Sequence, residues 1–281
     1  MRRALICCAA LALMGGCGKK TEDTKNPDPT GGASDTGDTG DAGGGGSGGE
    51  TAQEVPQEPD PPAIAEARAQ VLVTDFAAAK ATLEPLVADL TARSQYRASG
   101  LAASWLALAV VNQIAEDARA PAEYAMKMAD KTGDKEVVIA ANLASGAYDA
   151  GLERFPEAIA KFETAFNTDR SGTSAPLALI LFGETKIGMA FDADDNLANP
   201  QELDSAGTSF LKARDLAATQ PENAVLVGRA AIGMAAVARY KGDNKKACDL
   251  LKEANTAYAN AGAKEYLTSG ADALKDAARC K

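Results

Sequence analysis

The chain has 281 residues, 46% of them hydrophobic but only 5% aromatic, so alanine carries much of the apolar surface. Alanine favours helices and lets them approach closely, which points to an all-α core rather than to sheets. The formal charge is −10, no Lys/Arg cluster exceeds two residues and histidine is absent. Phosphate contacts with nucleic acid are therefore disfavoured, and the commonest general base and metal ligand is missing.

In chain order, the first segment is MRRALICCAALALMGGC. Arg2 and Arg3 form a positive start, and residues 4–14 form an apolar run too short to span a bilayer but suited to a signal-peptide core. Gly15 and Gly16 then precede Cys17. Small residues directly before a cysteine resemble the lipobox of bacterial lipoproteins, with Met14 where that family prefers Leu. The resemblance implies a signal peptide over 1–16, cleavage before Cys17, and acyl chains such as palmitate on Cys17. Such a chain is anchored to a membrane without spanning it. Gly18, rather than Asp, follows the cysteine, which within the family points to the outer membrane facing the periplasm. Losing Arg2 and Arg3 with the leader takes the charge from −10 to −12.

Residues 18–62, GKKTEDTKNPDPTGGASDTGDTGDAGGGGSGGETAQEVPQEPDPP, hold almost no bulky apolar side chain. Such a composition cannot offset its ordering entropy, so an acidic, Gly-rich, disordered tether is expected over 17–62. A Gly-rich coil of about 45 residues spans roughly 35–40 Å r.m.s.. The repeated DTGDTGD lacks the spacing and closing Glu of a calcium loop.

From residue 63 to the end, apolar residues recur at helical spacing between Gly, Asp, Asn and Pro breaks. The spacing predicts helices over 63–72, 75–92, 95–116, 120–131, 135–150, 155–168, 174–191, 200–219, 222–241, 244–260 and 263–279. Short connections make neighbours antiparallel hairpins. Within them a unit recurs. Gly146 precedes Ala158 by twelve, and Phe162 and Ala165 follow four and seven later. Ala235, Ala247, Leu251 and Ala254 repeat those steps, with Gly242-Asp243 as the turn. Small residues on facing helices let backbones approach, and the bulky residue one turn on fills the gap to the next hairpin. A third copy, Ala206, Phe210 and Ala213, is separated from Gly183 by the polar insertion FDADDNLANPQ. Ala122 with Met126 and Ala129, and Ala79 with Leu83, are weaker copies.

This pattern resembles the tetratricopeptide-repeat (TPR) family over roughly residues 75–260. The key alanines, at 79, 122, 158, 206 and 247, are spaced more loosely than that family's period and also suit HEAT-like pairs. The resemblance implies a right-handed α-solenoid over 63–281, with a groove lined by the first helices that holds an extended peptide or a partner helix. By that mapping Glu184, Arg229 and Arg239 face the groove; the alternative is that they are ordinary solvent-facing charges.

The remaining features are bland or structural. Cys248 and Cys280 begin one expected helix and end the next, so an oxidising compartment favours a disulfide between them. The insertion's Asp192, Asp194, Asp195 and Asn196 lack the sixth-place Gly and twelfth-place Glu of a calcium loop, which leaves a solvated acidic loop. Trp105, in an all-apolar helix, reads as core. There is no P-loop, nucleophile elbow or Cys-x-x-Cys after the leader, so no catalytic residue, metal site or cofactor is assigned. The expected role is a non-enzymatic scaffold or adaptor in the cell envelope that binds a protein partner. The alternative is a cell-wall or small-ligand binding lipoprotein with a pocket between helices.

Overall fold

A computed structural model describes residues 57–263 and 269–280. The leader, Cys17 and the tether up to residue 56 lie outside the described residues, as do 264–268. The described residues form eleven α-helices: α1 (Pro62–Leu72), α2 (Phe76–Ala92), α3 (Tyr96–Val110), α4 (Arg119–Thr132), α5 (Lys135–Gly151), α6 (Phe155–Thr168), α7 (Ala175–Met189), α8 (Pro200–Ala217), α9 (Ala224–Tyr240), α10 (Asn244–Asn260) and α11 (Ser269–Ala277). Single 3-10 turns at Ala115–Ala118 and Pro221–Asn223 lead into α4 and α9. Five hairpins, α1/α2 through α9/α10, stack in chain order as an α-solenoid, with α11 against the last.

One turn chemistry recurs at the ends of these helices. A residue with positive φ ends the helix at Thr74, Ser94, Glu153, Gly242 and Gly262. The next backbone N–H then reaches back five residues, as in Asp75 to Gln70 O (2.8 Å), Gln95 to Leu90 O (2.9 Å) and Asp243 to Ala238 O (2.9 Å). That bond satisfies a carbonyl which the helix end would otherwise orphan. Asp75, Asp134 and Asp243 then cap the next helix by accepting from its first amides.

The hairpins have two unlike layers. The second helices are amphipathic: α6 buries little beyond Ala158, Phe162 and Ala165. Among the first helices, α3, α5, α7 and α9 are buried nearly all round. In α3 every residue from 98 to 110 is buried, and α7 and α9 are almost as enclosed. These four touch one another in series, α3 to α5 to α7 to α9, and form a continuous inner layer, which α1 meets at α3. Glycines let the aromatic rings between layers sit close. A Cβ on Gly146 would lie 2.6 Å from the Phe162 ring, and Cβ atoms on Gly183 and Gly233 would lie 2.8 and 2.4 Å from the two sides of Phe210. Full burial of such a ring stabilises by about 2–3 kcal/mol.

The helix expected over 95–116 stops at Val110. Asn112 Nδ2 donates to Leu108 O (2.9 Å), competing for the helix's own carbonyl, and the chain turns where Gly151 presses against Ala115. Cys248 and Cys280 are joined by a disulfide with Cα atoms 5.4 Å apart. The closed loop, 32 residues in separation, stabilises by about 3–4 kcal/mol through the entropy it removes from the unfolded chain.

Candidate partner-binding face

Two of the three residues expected to line a groove, Glu184 and Arg229, are buried within the inner layer. Glu184 on α7 and Arg229 on α9 are 4% and 5% exposed and face each other. Arg229 Nε donates to Glu184 Oε1 at 3.2 Å and Nη2 donates to Oε2 at 3.1 Å. Burial pushes the Glu184 carboxyl above its ordinary value, and the Arg229 charge draws it back only in part. In this state the pair ties two hairpins together and presents neither charge to solvent. Arg239 is elsewhere, its Nε donating to Ala277 O (3.0 Å) at the end of α11, where a cation meets the orphan carbonyls of a helix terminus.

Helix α1 covers the inner layer beside this pair. Its Ile64, Ala67, Val71 and Leu72 are buried. Its Arg68 lies 5.7 Å from the centroid of the Trp105 ring on α3. Nη2 of Arg68 also donates to Thr173 O (3.3 Å) before α7 and to Asn223 Oδ1 (3.2 Å) before α9. Trp105 is thus buried, 4% exposed, and stacked under a cation from α1. A cavity of about 20 Å³ lies between Val71 and Phe76 on one side and Leu108, Val111, Leu177 and Arg229 on the other.

Residues 57–61, assigned to the tether in sequence, lie along the α2–α3 turn. Glu58 pairs with Arg93 at 2.8 Å, its N–H donates to Gln95 Oε1 (2.7 Å), and Asp60 pairs with Arg97. Arg97 also reaches Asp134 (3.1 Å) and Glu136 (2.6 Å), so one guanidinium joins the arm, α3 and α5. Nothing in the spacing of Arg68, Arg93 or Arg97 marks them. Apart from Asp89, one turn before Arg93, their partners are 35 to 155 residues away in sequence, and only the stacked hairpins bring them together.

Other polar groups are structural. Lys161 donates to Ser145 Oγ and Asp149 Oδ2, both at 2.6 Å, and Arg154 pairs with Asp149 at 2.9 Å, which links α5 to α6. The acidic insertion folds on itself: Asp192 Oδ1 accepts from the amides of Asp194 and Asn196, and Phe191 bridges to Leu197. No group of three or more potential ligands is arranged around a metal position among the described residues. No helix among them is long and apolar enough to cross a membrane. No protein family matches the chain, and no curated protein matches it.

Proposed function

We propose that the chain is a lipid-anchored scaffold or adaptor of the bacterial cell envelope, held through Cys17 and the tether. In this reading it holds a protein partner on the inner layer of a TPR-like hairpin array, at the outer membrane facing the periplasm. The observation that carries this is the inner layer itself, built from like helices of successive hairpins and already covered in part by a helix that buries one face, α1. Arrays of this kind bind through extended faces rather than through one catalytic constellation. Purification of the tagged chain from solubilised envelope tests it. The proposal expects one stoichiometric protein, and its absence after cross-linking counts against it.

A second reading, a cell-wall or small-ligand binding protein, draws on a cleft of about 380 Å³ where α5 and α7 begin. Arg97, Lys135, Asp134, Glu136 and Asp169 line it. Charged groups converging on a concave site suit a polar ligand. Thermal stabilisation by envelope glycans without any protein partner would favour that reading.

A further inference from the structure

Residues 57–72 form a strap that runs along the α2–α3 turn and over Trp105. Its leading arm is held by charge pairs with Arg93 and Arg97 at partly exposed positions, and such pairs weaken with salt. Its helix contributes four buried apolar side chains, two of them alanine-to-valine in size. Polar atoms are poorly served there: Asp60 Oδ1, Gln70 Oε1 and Asn112 Oδ1 are buried without a hydrogen-bond partner among the described residues. Each such atom forfeits the water it would bond when exposed, so opening the strap recovers that loss. The cavity beside Val71 lies between the strap and the first helices. The link to α2 runs through Thr74, a β-branched residue at φ 70°, a conformation that costs such a side chain energy.

We propose that the strap is a self-docked stand-in for a partner helix, and that it opens so that the inner face of α3, α7 and α9 receives an amphipathic helix of the same chemistry. The seat defines that chemistry. Counting from Ile64, the helix carries apolar residues at the first, fourth, eighth and ninth positions and a basic residue at the fifth, with acidic residues four and six positions ahead. The fifth position must be basic to lie over Trp105 and donate to Thr173 O and Asn223 Oδ1. The acidic residues answer Arg93 and Arg97. With the strap in equilibrium between docked and open, a partner's apparent affinity is its intrinsic affinity multiplied by the fraction of chain that is open, so the strap sets a threshold for binding.

For its purpose this inference rests on the scaffold reading, but its test does not. The probe is a labelled synthetic peptide of residues 57–74, added to the full-length chain and to its Ile64→Asp/Val71→Asp variant. Trp105, the single tryptophan, reports whether the seat is covered. The variant is expected to redden Trp105 emission and open it to quenchers. It should bind the peptide at least ten-fold more tightly than the unaltered chain, with emission restored. A peptide with Arg68→Ala should bind more weakly. If the double variant loses helix beyond α1, Glu58→Gln/Asp60→Asn decides, since it loosens only the arm; tighter peptide binding than in the unaltered chain is still expected. No gain in peptide binding, or a concentration-dependent dimer that exchanges straps between two copies, overturns the proposal. A peptide that binds while envelope purification yields no protein would defeat the scaffold reading and leave the strap standing.

Discussion

At the scale of single residues, glycine and alanine set how near the layers come. Gly146→Val would drive a branched side chain into the Phe162 ring, where even a Cβ would sit 2.6 Å away. Overpacking of this kind costs about 1–3 kcal/mol, read as a lower denaturation midpoint. Gly207→Ala is the contrasting case on α8. Its Cβ would meet only Val237, at 3.5 Å, so the gain in helix propensity should stabilise by about 0.5–1 kcal/mol. Gly146 with Phe162 was legible in sequence because both belong to one hairpin at fixed spacing. Gly233, which abuts Phe210 from the next hairpin, was not, since no spacing rule within a unit reaches across units. The Glu184–Arg229 pair was half legible: its residues were singled out as groove charges, but their burial against each other follows from the closed inner layer. Glu184→Gln leaves the Arg229 charge buried and unpaired, a loss of about 3–5 kcal/mol, and Glu184→Leu/Arg229→Met together should recover most of it. A double-variant loss equal to the sum of the losses from Glu184→Leu and Arg229→Met alone, by equilibrium denaturation, would show the pair is not coupled.

At the scale of elements, the second helices were readable from apolar periodicity because each exposes a polar face, and the buried first helices from the breaks that bound them. Boundaries failed where side chains competed with the backbone, as at Asn112. The helix expected over 263–279 is described from Ser269 to Ala277, and residues 264–268 lie outside the described residues. The start of α5 carries a pH prediction. Burial opposes ionisation of Asp134, but the Val137 amide, the Arg97 guanidinium and the Glu136 amide overcome it and hold the carboxyl below its ordinary value of 3.8. A depressed folded value means the unfolded chain binds the proton first as pH falls. The stabilisation is therefore full well above the ordinary value and is lost as pH drops through the lowered folded value. Asp134→Ala should cost about 1 kcal/mol at pH 7, the worth of a cap, and the gap to the unaltered chain should narrow as pH falls below the ordinary value. A gap that does not narrow in acid would assign the loss to packing instead.

At the scale of the whole molecule, the account joins a lipid anchor, a tether and a hairpin array. The anchor rests on the leader and Cys17 alone, so it is tested apart from the fold. Cys17→Ala should move the chain from the membrane fraction to the soluble envelope fraction, and continued sedimentation with membranes would defeat the anchor. A role carried by a face is less legible than a fold, because faces are assembled from residues scattered over the chain, as Arg68 and Trp105 are. The central claim is that a protein binds that inner face. Its most direct measurement is photo-cross-linking in native envelope from two positions: Asn112, beside the inner cavity, and Thr208, exposed on α8. The account predicts one discrete heavier adduct from position 112 and none from position 208; adducts from 208 alone, or from neither, would contradict it.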